Sequence, residues 1–403
     1  MPTHPASNIE SRFSRLTALL AEWQSVWRPL PFTQRRAAWC ERHPELTETL
    51  LGLSDAQLAR LQADPWHASP LAGRLPVAEL AGLVELPPLA AKGEPLPAAW
   101  SQHVGGRKWQ QIEAFIRCLD VTPHQRLLEW CAGKGHLSRT LARRHGREVG
   151  ALEWQASLCE EGRRLAAAQQ APVRLYRQDV LADEVAGFLS ADTHVVALHA
   201  CGDLHLGLLE RAVAAGCTVT LAPCCYHRTQ AADYRPVSQL GRALCHSHSL
   251  HLERNDLALA VQETVTAPLG VRRHRERANA WRLGFDELQR ELRGEDTYLP
   301  VPSLAYGQMP ERFDDFCHWA AQRKGLTLPD GLDYRRYESA GWQRLAEVSR
   351  LELVRHLFRR PLEMWLAMDR VQRFEEAGFR VEIGTFCAHR LTPRNLCIRA
   401  RAS

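Results

Sequence analysis

Two sets of residues in this chain carry chemistry. The first is Leu127-Leu128-Glu129-Trp130-Cys131-Ala132-Gly133-Lys134-Gly135-His136-Leu137-Ser138, an apolar run that ends in an acid and turns through glycines into a helix expected over 136–145. Gly133 and Gly135 let a backbone approach a ligand where any Cβ would collide. The first helical turn, at His136 and Leu137, aims N–H groups at an anionic ligand group. The second set is His199-Ala200-Cys201-Gly202-Asp203 together with Pro223-Cys224-Cys225-Tyr226-His227. Cys224 or Cys225 could act as a nucleophile, and His199, His227 or Asp203 as a base. His199, Cys201, Cys224, Cys225 and His227 also offer enough ligands for a tetrahedral zinc. The C-C-x-H spacing is not a usual zinc knuckle, so no metal is expected, and Cys201, Cys217 and Cys245 are read as small buried core thiols.

The acid near the loop separates two cofactors. Gly133, Gly135 and Ser138, with Glu153 20 residues beyond Gly133, imitate the G-x-G-x-x-G dinucleotide pattern. Glu129 instead gives acid-x-Cys-x-Gly-x-Gly, similar to the acid-x-Gly-x-Gly-x-Gly signature of class I S-adenosylmethionine (SAM) methyltransferases. A carboxylate there suits a cationic amino-acid ligand better than a pyrophosphate. Cys131 replaces the first glycine of that signature, and a residue with a Cβ is expected to keep φ below zero. SAM is the preferred reading, and NAD stays as the alternative.

Three blocks sharpen the likeness. Gly133-Lys134-Gly135-His136-Leu137-Ser138, His199-Ala200-Cys201-Gly202-Asp203-Leu204 and Cys224-Cys225-Tyr226-His227 resemble, in order and spacing, a family of methyltransferase-like proteins with relatives among tRNA 2'-O-methylating enzymes. Pro361-Leu362-Glu363 leading to Asp369-Arg370, and Thr392-Pro393-Arg394-Asn395-Leu396, fit as well. The likeness spans about residues 100–403 and implies a Rossmann-like SAM-binding core; the acceptors of such enzymes are diverse, so it names none.

That likeness assigns roles by position. Glu153, at the tip of the second strand and 24 residues beyond Glu129, would accept hydrogen bonds from both ribose hydroxyls. Asp179 would meet the adenine amino group, with Val180 against the ring. Lys108, just before a helix expected over 109–118, would hold the methionine carboxylate. His199, Asp203, Cys224, Cys225 and His227 would flank the methyl group. Pro223-Cys224-Cys225-Tyr226 keeps only a proline and an aromatic of the Asn/Asp-Pro-Pro-aromatic motif, so N6-adenine is not favoured. A cytosine C5 attacked by a cysteine, and a hydroxyl deprotonated by His227 or Asp203, both remain.

These side chains need a parallel sheet whose carboxyl edge gathers them. Apolar runs at 127–130, 149–152, 173–178, 193–198 and 217–222 supply five strands. Runs at 380–386 and 395–400 read as a closing hairpin, whose last strand is antiparallel to the rest in class I methyltransferases. The expected domains are a helical N-terminal module over 1–98 ending in a proline-rich connector, a core over 99–230, a mainly helical insertion over 231–375, and the hairpin over 376–403. Ile9, Phe13, Leu16, Leu20, Trp23 and Trp27 carry helical periodicity in the first of these.

Composition bounds the setting. The 403 residues are 45% hydrophobic, enough for a large core and a second module. Glu10, Arg12, Arg15 and Glu22 interrupt the N-terminal apolar residues, so no signal peptide or spanning helix is expected. Twelve cysteines without a framework point to free thiols in a cytoplasmic protein. The net charge is +5, and residues 1–98 hold 9 basic against 10 acidic side chains, so the excess lies beyond them. It is densest at Arg272, Arg273, Arg275, Arg277 and Arg282. Arginines in that density suit RNA phosphates, although a solvated helix face would look the same.

Overall fold

The β-branched and aliphatic runs form the strands of a computed structural model that describes residues 5–262, 269–305 and 307–402. Five parallel strands come first: β1 (Arg126–Trp130), β2 (Val149–Glu153), β3 (Val173–Arg177), β4 (Thr193–Cys201) and β5 (Thr218–Cys224). β6 (Phe379–Thr385) and β7 (Leu396–Ala402) close the sheet as an antiparallel hairpin, with β7 antiparallel to β5. The order is β3-β2-β1-β4-β5-β7-β6. It reverses between β1 and β4, which opens a ligand crevice at their carboxyl ends. The antiparallel seventh strand between β5 and β6 is the methyltransferase topology rather than the dinucleotide one.

β5 is buried at every position and β1 at every position but its first, as expected of strands covered on both faces. In chain order the longer helices of this unit include α1 (Pro5–Glu22), α2 (Gly106–Arg117), α3 (His136–His145), α4 (Ala156–Ala168), α5 (Asp203–Ala215) and α6 (Gln239–Ser247). Ile112, Phe115 and Ile116 of α2 and Leu137 and Leu141 of α3 pack with Leu127, Val149, Val196 and Ala222 of the sheet. α3 occupies the expected 136–145 and ends on Gly146 at φ 62°, the left-handed residue that caps a helix without steric cost.

The chain forms two compact units that do not follow the expected boundaries. Residues 1–21, 83–262 and 359–403 make one, and 22–82 with 263–358 make the other. The N-terminal module of 1–98 is therefore divided. α1 belongs with the sheet-bearing unit, where Phe13 lies 5.3 Å from the Trp365 ring and Thr17 Oγ1 accepts a 2.8 Å bond from Trp365 Nε1. The proline-rich connector is likewise pinned to the sheet: Leu89 N–H donates to Thr385 O at 2.9 Å and Thr385 N–H to Pro87 O at 3.0 Å. Sequence periodicity marks elements but not which distant elements share a core, which is why the module boundary was misplaced.

In the second unit, α7 (Leu269–Arg293) and α8 (Phe313–Lys324) bury Trp281, Phe285, Phe313 and Phe316 together. α9 (Tyr334–Glu375) runs 42 residues with Pro361 inside it; its residues to Phe358 belong to this unit and those from Arg359 to the first. Among the described residues of 231–375, helices make up most of the chain. Among the described residues no helix is long and apolar enough to cross a membrane.

Candidate active site

The loop after β1 is built around its acid. Glu129 is buried, and its Oε2 accepts the Ser138 N–H at 2.8 Å and the Ser138 hydroxyl. These bonds tie the strand end to the first turn of α3. Burial lifts its carboxyl to about 7, opposed by Ser138, Lys108 and Arg139. Lys108, on α2, feels the reciprocal field: desolvation lowers its ammonium and Glu129 opposes that fall.

Backbone conformation corrects one expectation. Cys131 has φ 58°, not below zero, followed by Gly133 at 57° and Gly135 at 63°. The position keeps the left-handed turn of a glycine at a cost of about 1 kcal/mol. The turn is held by surrounding bonds, Ala132 N–H to Leu152 O at 2.8 Å and Gly133 N–H to Glu153 Oε2 at 2.9 Å, which leave the cysteine no alternative. Burial, with Glu153 adding to it, drives its thiol up to about 12, so it stays protonated.

Glu153 is buried at the tip of β2 and also accepts the Gln155 N–H at 2.9 Å through Oε1. A carboxylate has about four lone-pair sites, so two backbone donors leave capacity for a pair of hydroxyls. Space beside Gly133 is open, with no atom within 4 Å of where a Cβ would stand. Asp179 is exposed after β3 and accepts the Leu181 N–H at 2.9 Å, and Val180 beside it is buried. This cradle fits the adenosine part of SAM. Two expectations shift. The Leu137 side chain packs in the core, so only its backbone could meet a ligand. His136 is pressed to about 4 by burial and by Lys108, Arg139 and Lys134, and its Nδ1 lies 2.7 Å from Arg139, so it enters as a neutral ring.

The rim at β4 and β5 gathers the second set. β4 bulges between Leu198 and Ala200, and the extra residue is His199 at φ 65°. A bulge re-aims a side chain; here Nε2 of His199 meets Gln111 Oε1 of α2 at 2.7 Å, and burial holds the imidazole down to about 4. Gly202 is obligatory, because a Cβ there would lie 1.8 Å from Arg228 O. That approach lets Asp203 N–H bond Arg228 O at 3.1 Å while Asp203 Oδ2 accepts Gln230 N–H at 2.7 Å. The carboxylate thus organises the turn after His227.

Cys224 is buried and turned inward, its Sγ 3.1 Å from both His199 O and Cys201 Sγ. Cys225 and His227 are half-buried. Hydrogen bonding from Cys201 and Cys224 favours the Cys225 thiolate and leaves Cys224 protonated. Cys217 is fully buried as expected, whereas Cys201 and Cys245 are only half-buried.

Sequence reasoning missed what lies beneath Tyr226. Arg370 sits 4.9 Å from that ring, donates from Nε to His205 Nε2 at 2.9 Å and from Nη1 to Tyr234 Oη at 2.9 Å. Tyr234 O–H in turn donates to Asp369 at 2.5 Å, and Asp369 accepts Val237 N–H at 2.9 Å, Ser238 N–H at 3.0 Å and Ser238 O–H at 2.6 Å. The adjacent Asp369-Arg370 pair was visible as a motif; its partners, over 130 residues away, were not.

The arginine run lies on α7 in the other unit. Arg272, Arg273 and Arg275 are exposed, Arg277 stacks 5.1 Å over Trp281, and Arg282 donates to Pro302 O at 3.3 Å.

Residues 107–232, from α2 through the turn after β5, match a family model described as a methyltransferase domain. This stretch holds the cradle and the rim together. The protein is an enzyme that transfers methyl groups, and SAM is its methyl donor. The NAD alternative is set aside.

Proposed function

We propose that this methyltransferase acts on RNA in the cytoplasm, on a hydroxyl acceptor, as the tRNA 2'-O-methylating enzymes that it resembles do. The observation that carries the RNA reading is the exposed trio Arg272, Arg273 and Arg275 on α7, whose guanidiniums match phosphate oxygens bidentately. Twelve free cysteines support a reducing compartment.

Bound SAM supplies a methyl already activated on a sulfonium. The chain's own work is to hold that donor and align the acceptor. In this reading Glu153 takes the ribose hydroxyls, Asp179 and Val180 the adenine, Gly133, Gly135 and the backbone at Cys131, His136 and Leu137 the close approach, and Glu129 with Lys108 the amino-acid end. His199 is a neutral positioning group at the edge of that site. His227 has a buried Nδ1 with no hydrogen-bond partner among the described residues and is the base that takes the hydroxyl proton. Asp203 holds the His227 turn. The inward Cys224 is not placed for attack on a cytosine, so Cys225 is the cysteine that a C5 acceptor would use.

The test is transfer of labelled methyl from SAM into cellular RNA and protein, with nuclease and protease digestion of the products. Label released by nuclease as 2'-O-methyl nucleosides, and lost in Glu153→Ala, is the expected result. Label confined to protein would overturn the RNA reading and leave the methyltransferase assignment standing.

A further inference from the structure

The register of β4 and β5 places Cys201 directly opposite Cys224, and opposed positions of neighbouring strands present their side chains on one face. Their sulfurs are 3.1 Å apart. Cys225, at the start of the next turn, adds a third, so that all three sulfurs lie within 4.8 Å of one another. Among the described residues this is the one group of three His, Cys, Asp or Glu side chains that converges so closely. Ordinary core thiols look different: Cys217 and Cys397 are sealed in the apolar interior, whereas Cys201 and Cys225 are half-open to the rim.

Three sulfurs, each about 2.3 Å from a tetrahedral zinc, sit roughly 3.8 Å from one another, the scale of this cluster. We propose that Cys201, Cys224 and Cys225 bind a zinc-class divalent cation through three thiolates, with the fourth position open toward the rim. Soft thiolate donors select zinc over magnesium or calcium. The scaffold is stiff: two ligands stand on paired strands, the His199 bulge precedes one and the obligatory Gly202 follows it. Half-buried Cys225 provides the way in. Binding takes all three sulfurs as thiolates and releases to solvent the protons of those still in thiol form, so a dication leaves the site with a single net negative charge. The open fourth position marks a site that can take a water or a substrate atom rather than a closed structural one. The inference goes beyond the methyl-transfer reading and does not depend on the acceptor.

The test reads metal, not activity. Protein purified under reducing conditions, stripped by chelation and reloaded with zinc alone is expected to retain one equivalent. X-ray absorption of that wild-type protein should show three sulfur neighbours at about 2.3 Å with one lighter neighbour. Cobalt in place of zinc should give thiolate charge-transfer absorption. Cys225→Ser and Cys201→Ser should each fall from one equivalent to none, while Cys245→Ser keeps it. If either variant fails to fold, the wild-type absorption spectrum decides. Fewer than three sulfur neighbours, a full equivalent retained in folded Cys225→Ser, or a fully reduced protein that takes up no zinc would each overturn the proposal.

Discussion

Glu129 pays for its burial until a cation arrives. Burial pushes its carboxyl up to about 7 in the folded chain, against an ordinary value of 4.5. A raised acid means that the folded state binds more protons than the unfolded one between those values, so this residue's contribution to stability falls as pH rises through that window. The amino-acid end of SAM reverses the balance, because it favours the carboxylate. SAM affinity should therefore increase with pH by up to about tenfold per unit below 7 and level off above it. Titration calorimetry across pH 5.5 to 8.5, on the order of the window set by that shift, checks this. Glu129→Gln keeps the acceptor for Ser138 but cannot ionise, so it should bind weakly and without that slope. A slope that persists in Glu129→Gln would assign the titration elsewhere. Cys131 illustrates a second feature at this scale: a cysteine tolerates a glycine's φ of 58° because the bonds around it fix the turn.

Elements were legible where chemistry and periodicity coincide. The glycine turn and α3, the five strand tips with their functional residues, and the antiparallel hairpin follow from local pattern, since an apolar run ending in a functional residue is a local signal. The bulge at His199 was invisible, because the contacts around it, Gly202 against Arg228 and His199 with Gln111 on another helix, are not local in sequence. A proline inside a helix lacks the N–H of the ladder, yet α9 passes through Pro361, with Leu357 and Leu362 on either side fully buried. Packing there outweighs one lost backbone bond. The same helix carries Asp369, whose carboxylate receives four donors from Tyr234, Val237 and Ser238. Replacing one of its oxygens in Asp369→Asn leaves donors unpaired in a site with no water access, at a cost of about 3 kcal/mol. Urea unfolding should show that loss. Because Tyr234 also bridges to Arg370 beneath Tyr226, turnover should drop more than SAM affinity does; equal loss of both would mean that the network supports the fold alone.

At the scale of the whole molecule, the cradle and the arginine run are carried by different units. The cradle and rim belong to the sheet-bearing unit, and the exposed arginines of α7 to the other. The run is a local patch rather than a net charge, since 22–82 and 263–358 together hold 21 basic against 22 acidic side chains. Counterion release makes phosphate contacts measurable: each one contributes about 0.7 to the slope of log affinity against log salt on single-stranded RNA. Changing Arg272, Arg273 and Arg275 together to Gln should therefore reduce that slope by about 2. SAM affinity should stay unchanged, because none of the three is part of the cradle. Filter binding of the full-length chain to a single-stranded RNA across a salt series gives the slope, and calorimetry gives the control. An unaltered slope would return the run to a solvated helix face, whatever the acceptor proves to be, while a reduced slope with raised KM and constant kcat would make α7 the surface that captures the RNA.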